Sequence, residues 1–421
     1  MPASNNKLLT GSAALALLGS EFRYKTEVYS EPVGPDGMVP GDVLLKGSGD
    51  PSLITADLLE LARTLKAHGV TAIAGRVVYN DTLFDAVRLG EAWEWDDEPF
   101  DYCAQISALN INRNVATVTV TPGDAVGAPA GVSLEPEMRA VYVIDNKAVT
   151  GAEGSPPGIV ITRARATNRI QISGSIPIKY PKRAIEDQVT FENPSAVTCT
   201  AFCEVLRQVG ITVLNKQASE PASIDYKVVA AHESQPLKSL LPLMNKPSDN
   251  MFAECFFKTI GAFTRHIGTN GASGTSAQAI RTWLVSIGIN QAQFRQVDGS
   301  GLSRQNLVSP ASIVRILKHW TAGKSPDSFV SSLPIAGVDG TLRSRMKGTG
   351  AQGNCRAKTG SVAYTSSLSG YVTTHNGVDL VFSVMVNSYI GPSSDCRALQ
   401  DKIVVALSNA DLPVEPKKDT P

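Results

Sequence analysis

The chain opens Met1-Pro2-Ala3-Ser4-Asn5-Asn6-Lys7-Leu8-Leu9-Thr10-Gly11-Ser12-Ala13-Ala14-Leu15-Ala16-Leu17-Leu18. Good helix formers fill Asn5–Leu18, Gly19 follows as a stop, and Ser4 stands where an N-cap is expected. Apolar residues surround the whole circumference, so this predicts a buried helix rather than a surface one. The three-residue spacing in Ser4-Asn5-Asn6-Lys7 puts the lysine one turn beyond the serine on the same face, within reach of its hydroxyl. A serine hydroxyl is a weak nucleophile until a neighbouring base takes its proton, and a lysine buried among apolar groups has a neutral form able to do so. The spacing alone is weak evidence, because an N-cap followed by a surface lysine gives the same four letters and Ser344-Arg345-Met346-Lys347 repeats them.

Two further short motifs supply complementary groups. Ser248-Asp249-Asn250 follows Lys246-Pro247 and precedes a helical run. On such a loop Ser248 can relay a proton, and Asn250 offers both a donor and an acceptor to a peptide-like substrate; a helix cap would read the same way. Lys358-Thr359-Gly360-Ser361 begins a predicted edge-type strand. Lys358 and Thr359 suit a carboxylate, Gly360 admits close backbone approach, and the Ser361 amide opposite that of Ser4 would make a pair of oxyanion donors.

The rest of the chain surrounds these motifs with two textures. From Tyr24 the sequence is rich in turns, with one amphipathic helix (Leu58, Leu61, Ala62, Leu65, closed by Gly69) and short alternating segments at 114–121, 140–144, 158–162 and 169–173. Helical patterns return near Phe191, at 195–209, 251–262, 276–287 and 311–321, and three β-type runs (357–361, 366–374, 380–386) precede a helix at 397–407. The Pro- and Lys-rich tail after Leu412 is expected to be disordered. At 421 residues more than one core is needed. Lys plus Arg equals Asp plus Glu at 39 each, so bulk charge gives no reason to expect a nucleic-acid or anionic-membrane partner. With 19% charged residues and no apolar run of membrane-spanning length, a soluble globular protein is expected. Cys103, Cys199, Cys203, Cys255, Cys355 and Cys396 lack metal-site spacing, so no metal and no other cofactor is expected, and the thiols are read as free.

The order S-x-x-K, S-D-N, K-T-G resembles that of the penicillin-binding proteins and class A β-lactamases. Gly49-Asp50-Pro51-Ser52-Leu53, Trp93-Glu94-Trp95-Asp96-Asp97, Asp298-Gly299-Ser300-Gly301-Leu302-Ser303-Arg304 and Pro334-Ile335-Ala336-Gly337-Val338-Asp339-Gly340-Thr341-Leu342 narrow the likeness. It is to low-molecular-mass class C penicillin-binding proteins of the D-alanyl-D-alanine carboxypeptidase/endopeptidase type.

The resemblance implies an α/β fold of α+β type: a transpeptidase-like domain, with an antiparallel sheet flanked by helices, interrupted by a large β-rich insertion. The catalytic domain is expected at 1–24 and 188–421. The insertion is expected at 25–187, as two subdomains (25–78 with 150–187, and 79–149). The resemblance further implies nucleophile Ser4, base Lys7, proton relay Ser248, and substrate contacts at Asn250, Lys358, Thr359, Ser361, Arg304 and Asp97. Peptidoglycan stem peptides are the implied substrate and β-lactam antibiotics the implied inhibitors, in a periplasmic or otherwise extracytoplasmic setting. A β-lactamase, or a non-catalytic wall-binding homologue, stays open at this stage. Family members carry residues ahead of the S-x-x-K motif, so an upstream segment is expected here too.

Overall fold

The computed structural model describes residues 1–136, 140–215, 226–264, 273–321 and 326–413; the tail expected to be disordered lies outside them from residue 414. The chain forms two compact units, one of 1–22, 90–92 and 235–421, the other of 23–89 and 93–234. Among the described residues no helix is long and apolar enough to cross a membrane.

In the first unit α1 (Asn6–Leu18) is the hub. Residues Asn6 to Leu15 are all buried, as an all-round apolar helix requires. Among the described residues five helices pack on it: α2 (Leu237–Asn245), α3 (Asn250–Phe263), α4 (Ser273–Ser286), α5 (Pro310–Thr321) and α6 (Pro326–Ser331). Beside them β1 (Arg356–Val362), β2 (Thr365–Thr373) and β3 (Asp379–Asn387) form an antiparallel sheet in that order, and α7 (Ser393–Ser408) packs on β2. Alternation along β2 sorts its two faces. Leu368 and Val372 join Phe382 and Val404 of α7 in one apolar cluster. Ser367 and Ser369 face the other way, where Ser367 Oγ donates to Pro2 O at 2.6 Å and Asn5 Nδ2 donates to Ser369 Oγ at 2.9 Å. Small polar residues on that face let the turn ahead of α1 lie close against the sheet.

The second unit has its own core, running from Val28 to Ala230. Strands Lys227–Glu233, Lys25–Ser30, Val43–Gly47 and Val77–Asn80 form a sheet in that order, with helix Thr55–Ala67 packed on helix Pro194–Gln208. Two expectations are corrected here. The helical texture after Phe191 does not mark a return to the first unit: Phe202, Val205 and Leu206 are buried in the same cluster as Leu58 and Leu61, and the unit runs on to Ser234. Nor do 79–149 and 150–187 separate, because Val115–Thr121 pairs with Ile185–Thr190 and Val143–Asn146 with Arg169–Ser173. Strand pairing between distant segments carries no local signature, so texture alone misplaces such boundaries.

Candidate active site

The turn that carries Ser4 is built for close approach. Ala3–Asn5 is a 3₁₀ turn, entered through Ala3 at φ +47°, and it runs directly into α1. Ser4 is therefore not the expected N-cap; its hydroxyl is taken up by Lys7 instead. Ser4 stays partly exposed while Asn5, Asn6 and Lys7 are buried. The backbone of β1 meets this turn at Gly360: a Cβ there would stand 2.7 Å from Pro2 O and 3.0 Å from Asn5 N. Only a glycine allows that contact.

Lys7 Nζ, fully buried, reaches three oxygens: Ser4 Oγ at 3.0 Å, Asn250 Oδ1 at 2.6 Å and Ser300 O at 2.9 Å. Burial pushes its pKa down to about 8, against an opposing pull from Asp249, Asp298 and Glu254. Two of the three oxygens are carbonyl-type acceptors with no proton to give. In the neutral amine they take both N–H bonds, which turns the lone pair toward the Ser4 hydroxyl. Asn250 is held in place at the first turn of α3, where Asp249 caps the helix through Phe252 N at 2.9 Å.

Ser248, at φ +69°, accepts a hydrogen bond from Lys358 Nζ at 2.8 Å, leaving its own O–H to donate elsewhere. Lys358 is buried and also donates to Thr359 O at 2.9 Å. Burial first, and then the charge of Lys7, hold it well below the usual lysine range. Thr359 Oγ1 donates to Thr341 Oγ1 at 2.8 Å. Ser361 is exposed on β1, opposite Ser366. The structure thus gathers Ser4, Lys7, Ser248, Asn250, Lys358 and Thr359 into one connected neighbourhood.

Arg304 and Asp97 make contacts of other kinds. Arg304 is exposed and donates to Ala363 O at 3.4 Å, beside the turn that follows Ser361. Asp97 belongs to the second unit, where it accepts from Tyr102 Oη at 2.7 Å. Among the described residues no cluster of His, Cys, Asp and Glu is arranged to hold a metal. All six cysteines are free thiols, as their scattered spacing suggests.

Sequence reasoning missed the parts that work through the backbone. Asp298 ties the segment after it by accepting from Gly301 N at 2.8 Å and Ser303 N at 2.7 Å, while Glu254 accepts from Gly299 N at 2.9 Å and Ser300 N at 2.8 Å. Thr341 was also missed as the partner of Thr359. It comes with a clamp on the Ser248 loop, in which Lys246 pairs with Asp339 and Thr341 N donates to Lys246 O at 3.0 Å. A visible signal for Glu254 exists: a lone carboxylate in the apolar run Met251-Phe252-Ala253-Glu254-Cys255-Phe256-Phe257 must find buried donors.

Comparison with known proteins agrees with this architecture. The D-alanyl-D-alanine carboxypeptidase of Actinomadura sp. (strain R39) is 39% identical over 426 residues, covering 97% of this chain and 77% of that protein. The D-alanyl-D-alanine carboxypeptidase DacB of Haemophilus influenzae is 27% identical over 391 residues, covering 92% and 81%. The crystal structure of penicillin binding protein 4 (dacB) from Haemophilus influenzae superposes with a TM-score of 0.84 at 25% identity, over 97% of this chain and 91% of that one. The family described as D-Ala-D-Ala carboxypeptidase 3 (S13) matches residues 1–410. With the motif residues drawn together in its first unit and this match over nearly its whole length, the chain belongs to the D-Ala-D-Ala carboxypeptidase 3 (S13) family.

Proposed function

We propose that the chain is a serine-type carboxypeptidase or endopeptidase that cuts D-alanyl bonds of peptidoglycan stem peptides through an acyl-enzyme on Ser4, outside the cytoplasm. The observation that carries this reading is the 3.0 Å contact from Lys7 Nζ to Ser4 Oγ, with the two other oxygens around Nζ being obligate acceptors. Neutral Lys7 takes the hydroxyl proton as Ser4 Oγ attacks the carbonyl carbon of the penultimate D-alanine. The amides of Ser4 and Ser361 stabilise the oxyanion. The C–N bond then breaks, and the leaving amine receives its proton through the Ser248 hydroxyl. Water attacks the ester in the reverse sense and frees Ser4.

The two buried lysines divide the labour. A substrate carboxylate arriving at Lys358 and Thr359 favours the ammonium form of Lys358, and that fixed positive charge in turn disfavours charge on Lys7. Asn250 aligns the peptide. Arg304 is assigned to an outlying substrate contact. A β-lactam presents a strained amide with a neighbouring carboxylate to the same groups, so covalent inhibition follows from the same reading.

The test is labelling with a fluorescent penicillin, together with D-alanine release from a peptide ending in D-Ala-D-Ala. The wild-type chain should form a stable adduct at Ser4 and release D-alanine. A Ser4→Ala variant that labels as strongly as wild type overturns the assignment, and rapid turnover of the penicillin in place of a stable adduct would identify a β-lactamase.

A further inference from the structure

Glu254 is a buried carboxylate that the chemistry above leaves unused. It lies on α3, one helical turn after Asn250, so both side chains share a face. Its two oxygens are both occupied: Oε2 accepts from Gly299 N at 2.9 Å and Oε1 from Ser300 N at 2.8 Å. The carbonyl of that same Ser300 accepts from Lys7 Nζ at 2.9 Å. The segment is pressed so tightly onto α3 that a Cβ on Gly299 would stand 2.4 Å from Ala253 O. One face of one helix thus governs both carbonyl acceptors of the Lys7 amine, directly through Asn250 and indirectly through Glu254.

We propose that Glu254 is a positioning residue for Lys7: its carboxylate grips the Gly299 and Ser300 amides so that the Ser300 carbonyl claims one Nζ proton and turns the lone pair onto Ser4. This rests on the role given to Lys7 under Proposed function. A carboxylate is the one side chain that suits the place, because it offers acceptors to two adjacent N–H groups and has no donor of its own. Burying it is costly, and a structural tie between a loop and a helix has cheaper solutions. Burial and the nearby Asp298 raise its pKa to about 7. Of the charged groups nearby, Asp298 in the loop acts on Glu254 itself, Glu254 on α3 and Asp249 at its N-cap act with Asp298 on Lys7 of α1, and Lys7 in turn acts on Lys358 of β1. Glu254 also acts on Lys7 through space, since its negative charge favours the ammonium form. The acid limb of acylation accordingly belongs to the pair and not to Lys7 alone.

The experiment measures acylation by a fluorescent penicillin from about pH 5 to about pH 10, on the whole chain and on Glu254→Gln and Glu254→Asp, with a thermal melt of each. Gln keeps one acceptor and sets an NH₂ group against the other amide, so the Ser300 carbonyl shifts. Its acylation rate should fall about 100-fold, the effect of a displacement near 1 Å, and its acid limb should move to lower pH because a negative charge near Lys7 is gone. Asp keeps the charge but shortens the reach, so it should lose rate with the limb unmoved. A Gln variant within about twofold of wild type, or one that loses rate with an unshifted limb, overturns the proposal and leaves Glu254 a purely structural tie. Unfolding of both variants at the assay temperature has the same meaning. If instead wild type does not label, or Ser4→Ala labels equally, the reading of the whole site fails and this inference falls with it.

Discussion

Replacing Gly360 by alanine tests the approach of β1 to the turn bearing Ser4. The added methyl group would stand 2.2 Å from Ser367 Oγ, 2.7 Å from Pro2 O and 3.0 Å from Asn5 N. The serine side chain can rotate away, at the loss of its bond to Pro2 O, but the two backbone atoms cannot move without carrying the turn. Restoring the Pro2 contact to an ordinary 3.4 Å opens the gap by about 0.7 Å. That shift separates the Ser361 amide from the Ser4 amide. With misplacement by about 1 Å costing on the order of 100-fold, and loss of one oxyanion donor about 2.7–4 kcal/mol, the acylation rate should fall roughly 30- to 100-fold. The assay is the second-order rate of labelling by a fluorescent penicillin at fixed pH, paired with a thermal melt to show that the first unit stays folded. A Gly360→Ala protein that labels within about twofold of wild type would refute the proposed pairing of the two amides.

Three other outcomes follow from the same geometry. Because the Lys7 pKa is lowered to about 8 and the neutral amine is the base, acylation should rise with pH through the region around 8 and fall away below it; a rate flat from pH 6 to pH 9, about three units, would exclude Lys7 as the titrating base. Thr341→Val removes the acceptor of the Thr359 hydroxyl and should raise KM for a carboxylate-terminated peptide by roughly tenfold, about 1.4 kcal/mol, with kcat little changed; an unchanged KM counts against a carboxylate site there. Asp339→Asn loosens the clamp through Lys246 on the Ser248 loop and should reduce D-alanine release more than it lowers the melting temperature, measured side by side.

How much of this is legible beforehand depends on whether the signal is local. The strand bounds of the sheet differ from expectation by a residue or so, as with 357–361 against Arg356–Val362 and 380–386 against Asp379–Asn387, because β-branched alternation and flanking turns are read off adjacent letters. The α1 helix begins one residue later than its composition suggests, since Ser4 spends its hydroxyl on Lys7 and the chain enters through a 3₁₀ turn. Side chains that carry chemistry are visible as letters, so Ser4, Lys7, Ser248, Asn250, Lys358 and Thr359 can be singled out. The carbonyl of Ser300 and the amides held by Glu254 are not, because every residue has a backbone and only the fold says which one points inward. The assignment of the helix Pro194–Gln208 fails for a related reason: its apolar face states that it packs, but not on which partner.

Two of the motif serines are presented from unfavourable backbone. Ala3, immediately before Ser4, and Ser248 itself both lie in the left-handed region, where a residue with a Cβ costs on the order of 1–3 kcal/mol. Such conformations persist only while their neighbours press on them, so a modest loosening of the first unit would let both peptides relax long before the helices melt. Catalytic competence should accordingly vanish ahead of the cooperative transition on warming, making the rate of acyl-enzyme formation a finer gauge of damage to this protein than its melting curve.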